Sequence, residues 1–236
     1  MSKKRHIVVT GASRGLGRAI VEELAKDPEN IILAISRSED LLRELSESVV
    51  HKNVQPLVID LKSSSDRKSV VDFVDKNWPG IDVLVNNAGA LVNKPFDQMT
   101  EEDFDHVTAV NYKVPYFLTQ ALVPFLKMSD GSQVMNIGSI GGMSGYSKFP
   151  GLSVYSSSKG ALSILTECLA TELDKEGILV NCYALGSVQT EMLESAFPGM
   201  EAGSSASSMA RYLVSQLLSN SGIVSGKTLP VAGSGI

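Results

Sequence analysis

The sequence has few of the residues that build metal centres or covalent frameworks. Its two cysteines, Cys168 and Cys182, lie far apart and fit neither a zinc spacing nor a redox pair. Both are expected to be buried, reduced thiols. The three histidines, His6, His51 and His106, have no ligand spacing, so no metal is expected. No apolar run approaches the ~20 residues that a membrane span needs. The basic start, Met1 to His6, runs straight into a strand-like segment. It lacks the apolar stretch and small-residue cleavage site of a secretory leader. A cytoplasmic chain with no membrane partner is the default expectation. A net charge of −5 argues against a general binder of phosphate backbones, so no nucleic-acid partner is expected. What is present is an ordinary globular composition, 43% hydrophobic over 236 residues. That is enough for one α/β domain with a substantial core spanning 1–236. No internal repeat or linker interrupts it.

The chain alternates strand-like and helix-like stretches. Ile7 to Thr10 is a short run of β-branched residues, the pattern of a buried strand. A glycine turn with Gly11, Gly15 and Gly17 follows, and Arg18 opens a helix pattern. Strand, glycine turn and helix together place a phosphate on a helix N-terminus. The second strand, Asn30 to Ile35, ends at Ser36 and Arg37. A carboxylate there would grip the ribose hydroxyls of NAD, whereas an uncharged residue followed by arginine suits the 2′-phosphate of NADP. Arg14, inside the glycine turn, can reach the same phosphate.

A helix over Asp40–Val50, a strand over Val54–Ile59 closing with Asp60, a helix over Ser63–Asn77 and a strand over Ile81–Val85 come next. Repeated strand–helix steps with short connections imply a doubly wound parallel sheet with right-handed crossovers. In such sheets ligands bind beyond the carboxyl ends of the strands, where Asn86 to Gly89 stands. Thr100 to Asp103 looks like a capped helix start. The helix continues through Asn111, is restarted by Pro115 and runs to Lys127. Gln133–Gly138 is the fifth strand, with Ser139 at its end. A loop over 141–151 leads to a long helix, Ser153–Glu176. Ile178–Tyr183 is the sixth strand, followed by a loop at Leu185, a Ser/Gly-rich flap at about 190–208, a helix over Met209–Ser219 and a seventh strand, Lys227–Val231.

Tyr155 and Lys159 are four residues apart and share a helix face. A phenol with a pKa near ~10 is a poor proton donor at neutral pH. A neighbouring ammonium favours the phenolate and lowers that pKa. The tyrosine can then exchange a proton with a carbonyl oxygen.

Thr10-Gly11-x-x-x-Gly15-x-Gly17, Asp60, Asn86-Asn87-Ala88-Gly89, Asn111, Ser139 and Tyr155-x-x-x-Lys159, in this order, resemble the short-chain dehydrogenase/reductase family along essentially the whole chain. The resemblance implies a Rossmann-type doubly wound sheet of seven mainly parallel strands with helices on both faces. It implies NADP(H) as cofactor and a homodimer or homotetramer, formed through the helices at Pro115–Lys127 and Ser153–Glu176. Tyr155 would donate the proton, Lys159 would lower its pKa and hold the nicotinamide ribose, Ser139 would hold the substrate oxygen and Asn111 would anchor a water leading to Lys159. Gly11, Ser13, Arg14, Gly15, Leu16 and Gly17 would form the phosphate turn, with Ser36 and Arg37 beside it. Asp60 and Leu61 would meet the adenine, Asn87, Ala88 and Gly89 the adenosine ribose, and Val188 and Thr190 the carboxamide.

Three positions depart from the family pattern. Leu185-Gly186 replaces a usual Pro-Gly, which would loosen one wall of the nicotinamide site. The Ser139–Tyr155 separation is lengthened by the loop from Gly145 to Gly151, which would overhang the substrate. Ala232-Gly233-Ser234 replaces the frequent Asp-Gly-Gly.

Leu91, Val92, Ile140, Met143, Phe149, Leu185, Met192 and Phe197 are expected to face the substrate, while Lys94 and Lys148 are expected in solvent. A pocket with few fixed charges suits a small neutral ketone, aldehyde or diketone. The expected function is an NADPH-dependent carbonyl reductase. A 3-oxoacyl-acyl-carrier-protein reductase is the competing enzyme. A non-catalytic NADP(H)-binding sensor is the alternative of another class.

Overall fold

The computed structural model describes residues 4–219 and 223–232. Its elements follow in order. They are β1 (Arg5–Thr10), α1 (Gly15–Leu24), β2 (Asn30–Ser36), α2 (Glu39–Ser48), β3 (Val54–Val58), α3 (Ser64–Asn77), β4 (Val83–Asn86), α4 (Glu101–Thr108) and α5 (Val114–Leu126). Then come β5 (Gln133–Ser139), α6 (Ser153–Glu172), β6 (Leu179–Leu185), β7 (Val188–Gln189), α7 (Glu191–Ala196), β8 (Ser204–Ser205), α8 (Ala206–Ser219) and β9 (Thr228–Val231).

The main sheet has the order β3-β2-β1-β4-β5-β6-β9, and every neighbouring pair is parallel. The strands are apolar on both sides because both faces are covered. Ile7, Val9, Ile32 and Ala34 pack with α1, α2 and α8 on one face. Val8, Leu33 and Ile35 pack with α3 and α5 on the other. Pro56 is tolerated because β3 is an edge strand. The chain reverses its winding between β1 and β4, and that switch point opens a crevice above the carboxyl ends of both strands.

The caps match local chemistry. The Ser63 side chain accepts from the Asp66 amide, and Thr100 and Asp103 form a reciprocal capping box. Several expected boundaries move. α2 stops at Ser48, α6 stops at Glu172 before a short 3-10 turn, and α8 begins at Ala206 rather than Met209.

Two differences are larger. The first is at Leu185, which is the last residue of β6 rather than a loop residue. It is in register with Ser139 of β5 on one side and Val231 of β9 on the other. Leucine keeps the amide that proline would remove from a ladder, and Gly186 N–H continues the ladder to Val231 O at 2.8 Å. Leu185 therefore packs in the core with residues of α8 rather than facing substrate. The second is Cys168, which lies exposed on α6, while Cys182 is buried as expected. Gly233 and Ser234 lie outside the described residues. Among the described residues no helix is long and apolar enough to cross a membrane, and no cluster of His, Cys, Asp or Glu could hold a metal ion.

Candidate active site

The glycine turn after β1 is fixed from below. Thr10 is buried, and its hydroxyl accepts from the amides of Asn87 and Ala88, each at 3.0 Å. The Asn87 side chain donates to Thr10 O at 2.9 Å and Gly11 O at 3.2 Å. Asn87 thus braces the turn with its side-chain amide. Gly17 is required by packing, because a Cβ there would stand 2.1 Å from Gly11 O. Gly15, the first residue of α1, has φ +52 and lies against Thr190, whose methyl would be 3.3 Å from an added Cβ. The bare helix N-terminus at Gly15 is an anion-binding geometry.

At the end of β2, Ser36 donates a 2.7 Å hydrogen bond to buried Ser13. Arg14 reaches past them to the Ser38 hydroxyl at 3.2 Å. Arg14 and Arg37 are both exposed, and neither is in an ion pair among the described residues. Two uncompensated guanidinium groups beside a bare helix N-terminus suit the anionic groups of a dinucleotide. Asp60 is half-buried, and one of its oxygens accepts from the Lys62 amide at 3.0 Å. Leu61 is buried, with its carbonyl held by Arg67 at 2.7 Å. Leu16 is buried in the core behind the turn.

Across the crevice, Tyr155 and Lys159 lie one turn apart on α6. The 3-10 turn Ile140–Gly142, which carries the chain out of β5, packs directly on that helix. A Cβ on Gly142 would sit 2.7 Å from the Gly160 amide nitrogen. This close approach places the Ser139 hydroxyl beside the Tyr155 phenol. The Ser139 hydroxyl also accepts from the Gly141 amide at 3.2 Å.

Lys159 is buried, and its ammonium donates to Ile137 O at 2.7 Å. Burial pushes its pKa down to about 8, and the Cys182 sulfur nearby opposes that shift. Burial raises the Tyr155 phenol above its ordinary value, and the Ser139 hydrogen bond only partly offsets it. The expectation that Lys159 lowers the phenol is therefore corrected. Desolvation outweighs any field from an ammonium directed at a backbone carbonyl.

Asn111 is fully buried in a π-helical turn, Ala109–Lys113, between α4 and α5. Pro115 has no N–H to offer the Asn111 carbonyl four residues back. The turn widens instead, with Val114 N–H donating to Ala109 O. The Asn111 side chain clamps Ala90, accepting from its amide at 2.8 Å and donating to its carbonyl at 2.9 Å. It also donates to Ser158 Oγ at 3.0 Å, and Ser158 donates to Tyr155 O at 2.7 Å. Gly89 lies beside this clamp, since a Cβ there would be 3.6 Å from Asn111 Oδ1. Val188 is buried in the core at the foot of β7, and Thr190 caps α7 by accepting from Leu193 N at 3.3 Å.

Ser158, Ala90 and the Ile137 carbonyl take part in this arrangement without being singled out by sequence. Ser158 is one of three consecutive serines, and nothing in their spacing distinguishes it. Behind the site Asn86 donates to Thr119 at 3.1 Å and to Asn136 at 2.8 Å. Asn136 in turn donates to Thr166 at 2.9 Å, tying α5, β4, β5 and α6 together.

The comparisons with known proteins agree with the fold. The short chain dehydrogenase model matches residues 5–201. A tropinone reductase homolog of Datura stramonium is 34% identical over 192 residues, 80% of this chain and 70% of that protein. A 3-oxoacyl-acyl-carrier-protein reductase of Thermotoga maritima is 33% identical over 189 residues, 79% of this chain and 75% of its own length. The crystal structure of L-sorbose reductase from Gluconobacter frateurii, complexed with NADPH and L-sorbose, superposes with TM-score 0.86 at 25% identity, covering 98% of this chain and 96% of that one. This chain belongs to the short-chain dehydrogenase family, oxidoreductases that act on CH–OH and carbonyl groups with a nicotinamide cofactor.

Proposed function

We propose that the protein is an NADPH-dependent carbonyl reductase acting on a small neutral ketone, aldehyde or diketone. The observation that carries this reading is the grouping of Ser139, Tyr155, Lys159 and Asn111 beside the glycine turn, tied by the bonds through Ser158 and Ile137. The turn from Gly11 to Gly17 and the N-terminus of α1 would hold the pyrophosphate. Arg14 and Arg37 would hold the 2′-phosphate, with Asp60 and Leu61 at the adenine. NADPH, when bound, supplies the hydride that the carbonyl carbon accepts. Tyr155, kept neutral by burial, holds the proton that the carbonyl oxygen takes, and Ser139 orients that oxygen beside the phenol. Lys159 sets a positive charge under the site and would hold the nicotinamide ribose. Asn111 and Ser158 fix α6 against the loop after β4.

The test is turnover of a carbonyl panel with NADPH and NADH by wild type, Tyr155→Phe and Arg37→Asp. Tyr155→Phe should lose turnover while still binding NADPH. Arg37→Asp should weaken NADPH binding far more than NADH binding. Full activity in Tyr155→Phe would exclude the mechanism, and equal loss of both cofactors would refute the assignment of Arg37.

The Thermotoga relative favours a second reading, an acyl-carrier-linked substrate. It would need free basic groups for an acidic carrier. Lys94 is paired with Asp103 at 2.5 Å and Lys127 with Glu176 at 2.8 Å. Turnover of a carrier-linked 3-oxoacyl substrate in preference to free carbonyls would establish it. Cofactor binding without turnover of any carbonyl would point instead to a sensor. We also propose that the protein works as a homodimer or homotetramer through α5 and α6.

A further inference from the structure

Three loops meet just before α6, the helix that carries Tyr155. The loop after β4 is bonded to the loop before α6 by Lys94 N–H donating to Gly151 O at 3.1 Å. It is bonded to the end of α7 by Asn93 Nδ2 donating to Ala196 O at 2.8 Å. The fit at Gly151 excludes a side chain, because it has φ +83 and a Cβ would stand 2.0 Å from Asn93 Oδ1. On this frame Phe149 and Phe197 meet edge to face, with ring centroids 6.2 Å apart. Phe149 is nonetheless 47% exposed, so a large apolar ring is held half in solvent by a built scaffold. Met192, on α7 between them and the glycine turn, reaches within 3.7 Å of a Cβ placed on Gly89.

Of the two nearby cations, one is neutralised and the other keeps its charge. Lys94 is paired with Asp103, and the Lys148 ammonium donates to the carbonyls of Met143 at 2.5 Å and Tyr146 at 3.0 Å.

We propose that Phe149 and Phe197 form an aromatic jaw that selects carbonyl compounds bearing a flat aromatic ring next to the reacting carbonyl. This deepens the carbonyl-reductase reading and rests on it. The substrate ring completes an edge-to-face cluster with the two phenylalanines, an arrangement favoured by the ring quadrupoles.

The test uses the intact protein with saturating NADPH and two substrates, a phenyl methyl ketone and a straight-chain methyl ketone of similar size. Wild type is compared with Phe149→Leu and Phe197→Leu, which keep apolar volume and remove the ring. The phenyl-over-alkyl ratio of kcat/KM should fall about three- to tenfold in each variant, mainly through KM, with NADPH affinity unchanged. An unchanged ratio overturns the proposal, and so does equal loss on both ketones. If wild type reduces neither ketone with either cofactor, the reductase reading fails by itself. Saturation-transfer NMR on the cofactor-loaded protein then reads the jaw directly. The phenyl-ring signal should drop in both variants, and equal signals in all three proteins overturn the jaw.

Discussion

At the scale of the residue, Lys159 sets function against stability. Its side chain is 4% exposed and its pKa is pushed down to about 8 from 10.5 by burial. The folded protein therefore binds this proton less tightly than the unfolded chain does. The burial penalty is full below about pH 8 and is relieved as pH rises from there toward 10.5. At ~1.4 kcal/mol per pKa unit the penalty is about 3 kcal/mol. Lys159→Met removes the charge and orphans the Ile137 carbonyl, which costs roughly 1 kcal/mol in return. The variant should thus be about 2 kcal/mol more stable than wild type at pH 7, and inactive. Its advantage should shrink toward pH 10. Urea melts of both proteins at several pH values check this, and a variant less stable than wild type at pH 7 contradicts it. Tyr155 needs no such compensation, since burial favours its neutral, proton-bearing form.

At the scale of the element, the decisive feature is the π turn that joins α4 to α5. Asn111 sits in it with both ends of its amide bonded to Ala90. That clamp closes the loop leaving β4 over the crevice. Asn111→Ala leaves a buried N–H and a buried carbonyl without this partner, at ~1–3 kcal/mol each. Melting should fall by about 4–24 °C for a chain of this size, and kcat should drop with it. Thermal denaturation by circular dichroism reads the first and steady-state kinetics the second. A variant with unchanged melting would show that the clamp is not holding the loop.

The clamp also marks where sequence stops being informative. The strands were legible because β-branched runs alternate with helix patterns, and Tyr155 with Lys159 because four residues fix a shared helix face. Asn111 matched a motif, but its partners lie 21 and 47 residues away, and no local pattern encodes a widened turn. Leu185 looked like the start of a loop because its strand partners, Ser139 and Val231, are both distant. Cys168 looked buried by residue type, but the helix presents it outward. The electrostatics were the least legible. Whether an ammonium meets a phenol or a carbonyl depends on a rotamer, not on spacing.

At the scale of the whole molecule, the sheet is covered on both faces, yet one outer surface stays rich in aromatics. Phe104, Tyr112, Tyr116 and Phe117 are all exposed along α4, the π turn and α5. Tyr112, Tyr116 and Phe117 border a concavity of about 600 Å³ that Asp105 and Lys113 also line. Ile164 is 60% exposed on the neighbouring α6. Tyr116 and Phe117 are already stacked edge to face at 5.1 Å, and the Arg67 guanidinium lies 5.7 Å over the Phe117 ring. Exposed apolar area gathered on two adjacent helices is what an isologous contact buries. The same two helices carry Asn111's neighbours and Tyr155, so association would stiffen the frame under the site. Phe117→Lys places a charge at the centre of that surface without touching the crevice. Sedimentation equilibrium should give a multiple of the chain mass for wild type and a lower multiple or the monomer for the variant. The variant should also lose activity on dilution more steeply, because a weakened contact dissociates at higher protein concentration. The same mass for both proteins at every concentration would place the interface elsewhere or show that this chain works alone.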